Sequence, residues 1–359
     1  MPCFPEWLKL SLRWLAVLGV FFLILLAALL VFATLNRYRP QAEEVFVLET
    51  AADILPLDRE ISVLSWNIGY AGLGSDMDFF YDGGRRVRSN RERTLENLLA
   101  IKDFLETRLA DDFWLLQEVD RRSKRSWDLD LLAELQRLKP GSDVFFAVNY
   151  RSPFVPVPIY QPLGKVHSGL VSIGKNRPVF AARYSYPGSY PWPGSLFNLQ
   201  RCFLLMRFVL DKGRQLVVVN THNSAFDDGG LRARQMDFLE EILLAEFDRG
   251  NYVIAGGDWN QCPPGFAPDF PGRVFDYDDL LYVSPELFPG WHWAFDARQP
   301  TCRRLGESYV PGKTPVTLID FFLVSPNVEV LELKTVDLDF ANSDHNPVTG
   351  RFRLRPTAD

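Results

Sequence analysis

The sequence is short of several things that would have pointed elsewhere. It has only four cysteines, and Cys3, Cys202, Cys262 and Cys302 show none of the paired spacing of a zinc site. Cys262 and Cys302 flank one long loop region. They are open to a disulfide if the domain lies outside the cytoplasm, and equally to remaining buried or free thiols. No segment is of low complexity and no internal repeat is found. Basic charge is not in excess: 39 Lys and Arg face 45 Asp and Glu, for a net charge of −6 and a pI near 5.4. That balance speaks against a dedicated nucleic-acid binder with a basic face. It leaves room for an enzyme that cuts nucleic acid with local basic loops.

Charge is missing altogether from Trp14 to Leu35, a stretch long enough to cross a bilayer of roughly 30 Å as a helix. Lys9 and Arg13 precede it and Arg37 and Arg39 follow, so the flanking positive charges set orientation only slightly. The expected arrangement is a single-pass membrane protein with its N-terminus inside and its globular part extracytoplasmic. A cleaved signal peptide competes, because Val31-Phe32-Ala33 resembles a small-residue cleavage site, although the apolar run exceeds the usual ~7–15 residues. The expected organisation is an anchor over 1–36 (transmembrane helix about 14–35), a linker over 37–60 and a catalytic domain over 61–359.

Within that domain, apolar strands end repeatedly on polar residues suited to phosphate or metal. ISVLSWN ends at Asn67, FWLLQE at Glu118, QLVVVNTH at His222, and YVIAGGDWN at Asp258 and Asn260. VTLIDFFLV carries Asp320, and Ser343-Asp344-His345 follows. In a layered α/β protein such strand ends gather along one edge of the sheets, where ligands bind. Between the strands, a helix is expected from Ser89, with Glu92 at capping-box spacing. Leu95, Leu98, Leu99, Leu105 and Leu109 are expected along its buried face. Further helices are expected over about 128–138 and 231–247. Residues 150–200, rich in proline and aromatics, read as ordered loop around one short strand at 169–173, because proline cannot continue a central strand. Residues 262–312 read as a second loop-rich insertion. His167 and His292 match no motif.

Carboxylates, carboxamides and imidazoles without a serine or cysteine nucleophile point to metal-assisted hydrolysis. Magnesium prefers oxygen ligands, one or two carboxylates plus waters, and Glu118 with the carboxamide oxygen of Asn67 fits. Asp320 within an apolar run is costly unless paired, and His345 is the natural partner for proton transfer. Asp258 is suited to orienting or deprotonating a water. Asn260 and His222 are suited to donating to phosphoryl oxygens that gain charge.

The ordered series LSWN, QEVD, NTH, GGDWN, LIDFF and SDHNPV resembles the endonuclease/exonuclease/phosphatase superfamily, the DNase I-like fold, over about residues 61–350. The resemblance implies a four-layered α/β sandwich: two packed, mixed, largely antiparallel sheets flanked by helices. It also implies hydrolysis of phosphoesters with a divalent metal, usually Mg2+, with Mn2+ as an alternative. On this resemblance Asn67 and Glu118 are metal-side residues, with Asp344 beside the metal, unless Asp344 only caps its turn. His222 is a phosphate ligand or leaving-group acid, Asp258 and Asn260 orient water and bind phosphate, and Asp320 holds His345.

The substrate is less defined by the sequence. Arg85, Arg86, Arg88, Arg91 and Arg93 form one basic cluster, and Arg121, Arg122, Lys124 and Arg125 another. Either suits a polyanion backbone, an anionic lipid headgroup, or a solvated face; Arg121 and Arg122 are the expected substrate-binding pair. The expected partners are a phosphoester substrate, either nucleic acid or a phospholipid headgroup of the sphingomyelin or phosphoinositide kind, and a membrane; no protein partner is expected. A binding protein that keeps the fold without the activity is a third possibility, which the intact series opposes.

Overall fold

The central strands are near-continuous apolar runs buried on both faces, and the two long helices of the domain carry apolar stripes at i, i+3 and i+7. The computed structural model describes residues 5–225, 230–276 and 281–356. The chain begins with α1 (Glu6–Leu35), β1 (Glu43–Val45) and β2 (Ile54–Leu55). Then come β3 (Glu60–Asn67), α2 (Arg91–Glu106), β4 (Phe113–Asp120) and α3 (Leu131–Leu138). β5 (Asp143–Val155), β6 (Gly164–Gly174), β7 (Phe180–Ser185), β8 (Cys202–Leu210) and β9 (Gln215–His222) follow as a run of strands. α4 (Gly230–Asp248) leads into β10 (Tyr252–Asp258). The remainder is β11 (Val274–Phe275), β12 (His292–Ala294), β13 (Cys302–Arg303), β14 (Pro315–Thr317), β15 (Asp320–Val324), β16 (Val328–Thr335) and β17 (Val348–Leu354).

Two large mixed sheets result. One has the order β1-β7-β8-β9-β10-β15-β12 with β2 on β8, and the other β16-β17-β3-β4-β6-β5; β11, β14 and β13 make a small third sheet. The large sheets bury their inner faces against each other: Val63, Leu115 and Leu170 of one meet Leu204, Met206 and Val218 of the other. Outside, α2 and α3 cover Trp66, Trp114 and Leu116 with Leu98, Ile101, Leu105 and Leu135. On the far side α4 covers Val217, Val219 and Ala255 with Met236, Leu239 and Leu243. This is the expected α/β/β/α sandwich.

Several local expectations are corrected. Asn90, not Ser89, caps α2, its side chain accepting from Arg93 N at 2.7 Å. The buried stripe is Leu98, Ile101 and Leu105; Leu99 is exposed because it lies off the 3.6-residue period of that stripe, and Leu109 because α2 ends at Glu106 before reaching it. α3 is shorter than 128–138, since Asp130 caps it. The 150–200 region holds more strand than expected: β5 and β6 form a long hairpin, of which 169–173 is only part. Proline is accommodated because β5 is the edge strand and its pairing is irregular between Ser152 and Val155, around Pro153. Segment 37–60 carries β1 and β2, which pair with β7 and β8. α1 extends further towards the N-terminus than 14–35 and is long and apolar enough to cross a membrane. Cys202, Cys262 and Cys302 are free thiols, so no Cys262–Cys302 disulfide forms.

One register decides where the site forms. β10 runs parallel to β9, placing Asp258 beside His222, and antiparallel to β15, placing Asp258 beside Asp320. Gly257 makes this pairing possible, because a Cβ there would lie 2.0 Å from Thr221 O. Gly257→Ala is therefore expected to lower stability by about 3 kcal/mol or more, a large effect for one methyl group. A chemical-denaturation midpoint equal to wild type would show that the β9–β10 pair yields easily.

Candidate functional site

The strand ends converge on a cavity of about 350 Å³ lined by Asn67, Glu118, His222, Asp258, Asn260, Asp344 and His345 among others. Asp320 lies behind His345, its Oδ2 2.7 Å from His345 Nδ1. Asp258 is the hub. Its Oδ2 accepts from Asn67 Nδ2 at 2.9 Å and lies 3.3 Å from His222 Nε2 and 3.8 Å from His345 Nε2. Its Oδ1 accepts from Asn260 N at 3.0 Å.

Local backbone geometry aims these groups. The pairing of β4 with β6 breaks between Leu116 and Val119, and within the break Glu118 has φ +55°. A bulge with a left-handed residue turns a side chain off its alternation, and such strain collects at functional positions. Gln117 meanwhile turns inward to Asn220 Oδ1 at 2.8 Å. Asn260, also left-handed at φ +51°, holds its amide against Asn223 O at 2.9 Å. The loop bearing Asp344 and His345 is tied to the first site strand twice. Trp66 Nε1 donates to His345 O, and Ser343 Oγ donates to Asn67 O.

The two imidazoles are pushed in opposite directions. Burial alone would lower His345, but Asp320, followed by Cys302, Asp344 and Asp258, holds it well above the ordinary value, so it keeps its proton. His222 is driven well below, first by burial and then by Arg201, His345 and Arg125, so it is neutral, and its Nδ1 is buried without a hydrogen-bond partner. Burial also raises Asp320 to about 6.

Glu118 and Asp344 share one volume with Asp82. Asp344 is pushed up to about 6, first by burial, with Glu118 also raising it. Asp82 rises to about 7, first by burial, then through Asp344 and Glu118. Three carboxylates facing one cavity are an oxygen-rich donor set of the kind magnesium takes, and a divalent cation would relieve their repulsion. Among the described residues, Asp258, Asp320 and His345 also have ligand atoms within 4.8 Å of one another. His345 Nδ1 is already engaged by Asp320, so that trio fits proton holding better than ion binding.

Arg121 and Arg122 are not among the cavity-lining residues. They lie 3.6 and 3.4 Å from Asp130 oxygens at the surface. Of the first basic cluster, Arg86 and Arg93 pair with Asp76, Arg86 also with Asp78, and Arg88 binds backbone carbonyls of Lys124 and Pro162. Four arginines line the cavity in their place, of which Arg304 is bound to both oxygens of Asp276. Arg125 is bound to both oxygens of Asp120, stacked 3.7 Å over Tyr70, and has Nη2 3.9 Å from Glu118. Arg303 donates to the carbonyls of Gly74 and Met77. Arg201 has a buried Nη1 with no hydrogen-bond partner. Arg201 stands at the cavity end of an apolar strand, the same signal that marked the others, and Asp82 lies in the glycine-rich loop after Asn67. His292 is exposed on β12, and His167 packs edge-on against Phe146.

The sequence pattern of the Endonuclease/Exonuclease/phosphatase family matches residues 64–345. No curated protein sequence matches. Among solved structures, an endonuclease/exonuclease/phosphatase from Beutenbergia cavernae is 19% identical with TM-score 0.52, over 83% of this chain and 72% of its own. ANGEL2, a 2',3'-cyclic phosphatase, is 16% identical with TM-score 0.52, over 83% and 96%. TDP2 from D. rerio, complexed with a single-strand DNA product, is 14% identical with TM-score 0.53, over 82% and 99%. At these identities the likeness is one of fold.

Asp320→Asn tests the proton-holding pair. The stabilisation His345 contributes while protonated is complete below the ordinary imidazole pKa of about 6.5 and is lost as pH rises through the elevated value. Without the Asp320 charge, the His345 resonances should titrate at clearly lower pH by NMR, and turnover should fall about 10²–10⁴-fold. An unchanged titration would remove Asp320 as the source of the elevation.

Proposed function

Because the chain belongs to the Endonuclease/Exonuclease/phosphatase family, we propose that it is a membrane-anchored, divalent-metal-dependent phosphoester hydrolase. The observation that carries this reading is Asp258 held by Asn67, Asn260 and His222 beside the Asp320–His345 pair. Glu118 and Asp344, with the carboxamide oxygen of Asn67, would hold the ion, Mg2+ by preference and Mn2+ as substitute. When bound, the ion neutralises phosphoryl oxygens and makes water more acidic.

The chain's own residues divide the remaining work. Asp258 accepts and orients the attacking water's proton. Groups whose environments push their pKa values apart separate into acid and base. His345, protonated, is the donor to a phosphoryl or leaving oxygen, a form of the proton transfer expected of the Asp320–His345 pair. Of the two roles expected of His222, phosphate ligand or leaving-group acid, its neutral state favours the first, and it also positions Asp258. Asn260 and Arg201 bind the phosphoryl oxygens that gain charge. α1 anchors the enzyme.

Glu118→Gln should abolish Mg2+-dependent hydrolysis of bis(p-nitrophenyl) phosphate, and EDTA should abolish it in the wild type. Turnover that survives both would refute metal-dependent hydrolysis at this site.

A further inference from the structure

α1 does not end clear of the domain. Leu29, Leu30 and Thr34 are partly covered and Ala33 is buried, whereas the helix is otherwise largely exposed. These positions share one helix face, and β5 packs against the helix. At 1.5 Å per residue, Leu29 lies about 9 Å before Leu35 along the axis. The domain therefore reaches alongside the last turns of the apolar segment. Just beyond, Tyr38 lies 5.9 Å from the Arg151 guanidinium and 6.0 Å from that of Arg183.

A second hollow, of about 180 Å³, opens at this junction, and Arg37 and Pro40 form part of its wall. Tyr190, Leu199 and Arg201 line both this hollow and the catalytic cavity, so the two adjoin. Arg37 Nε and Arg201 Nη1 are both buried without hydrogen-bond partners. Buried donors in this state mark a missing acceptor, and for guanidinium the strongest acceptor is a phosphate or carboxylate oxygen. Exposed apolar side chains follow in the chain from β5, which packs against α1, and from Tyr190 of the hollow. Phe154, Val157, Ile159 and Tyr160 lie on or just beyond the end of β5, Ile159 being 87% exposed, and Trp192, two residues past Tyr190, is 62% exposed. Exposed aromatic and aliphatic side chains on segments that continue from the strand packed against an apolar helix match the interfacial belt of a bilayer.

We propose that the groove from Arg37 to Arg201 admits the headgroup of an anionic phospholipid from the bilayer that carries α1, and that Phe154, Val157, Ile159, Tyr160 and Trp192 rest in that bilayer's interface. The substrate class is a lipid-borne phosphoester. Water's oxygen bonds to phosphorus, one P–O ester bond breaks, and the released oxygen leaves as a hydroxyl carrying a proton. The proposal rests on the phosphoesterase reading of the same cavity.

The test uses the full chain in phosphatidylcholine vesicles doped with phosphatidylglycerol or a phosphatidylinositol phosphate. Water-soluble short-chain forms of the same lipids, single-stranded DNA and bis(p-nitrophenyl) phosphate are assayed in parallel. The vesicle lipid should be cleaved about tenfold or more faster than its short-chain form. Arg37→Ala should lower the vesicle rate about tenfold or more, the loss of one charge-assisted hydrogen bond. A bimane label at Ile159→Cys, in a Cys3→Ser background, should be quenched by nitroxide carried on lipid headgroups; this readout is independent of the lipid cleaved. Cleavage of DNA or the reporter with no cleavage of either doped lipid would overturn the proposal and leave the phosphoesterase reading standing. An unquenched label, or an Arg37→Ala vesicle rate equal to wild type, would also overturn it. A wild type that cleaves nothing, reporter included, would refute both readings.

Discussion

The pairing of β10 with its two neighbours is the constraint on which the site depends. It sets His222, Asp258 and Asp320 in one row across three strands. A slip of one residue would send alternate side chains to the opposite face, removing Asp258 from Asn67 and from both imidazoles at once. Two glycines make the row possible. Gly257 lets β10 lie against Thr221, and Gly256 leaves room for the Phe322 ring, which a Cβ would meet at 2.5 Å. The two sheets then supply complementary parts. β3 and β4 bring Asn67 and Glu118, and β9, β10 and β15 bring the Asp258 row.

Charge is sorted within a few ångströms of that row. Glu118, Asp344 and Asp82 crowd an oxygen-rich volume, while burial, with Arg201, His345 and Arg125 adding to it, depresses His222. His345 is held protonated by Asp320 despite its burial. Two chemically identical rings thereby acquire different protonation states from position alone. A buried histidine is otherwise expected to lose its proton, and only the Asp320 carboxylate, with the acids behind it, reverses that sign.

The motif residues were legible because each interrupts an apolar strand, where a polar side chain needs a partner. Asp320 announced His345 on that ground. The α/β class followed from the order of strands and helices, and the four-layered sandwich from the resemblance carried by the ordered motifs. What was not legible depended on contacts distant in sequence. Arg121 and Arg122 look like substrate ligands beside Glu118, but Asp130 lies near both. Arg201 looks like one more charge before a strand until the fold leaves its Nη1 without an acceptor. The prolines after residue 150 argue against a strand only if that strand is central. An edge position and an irregular register, both tertiary facts, let β5 pass through Pro153. Ser89 and Asn90 are both good helix caps, and the sequence does not rank them.

β3, the first strand to carry a site residue, pairs directly with β17, the last strand of the domain, and the Ser343 and Trp66 hydrogen bonds join their ends. The order of synthesis then matters. A chain emerging from the ribosome, N-terminus first, exposes α1 and β3 long before Asp320, Asp344 and His345 exist. β3 must wait for its neighbour, and the cavity cannot close until synthesis has passed β17. Truncated or stalled products would therefore be inert towards the phosphoesters around them, a safeguard that follows from strand order alone.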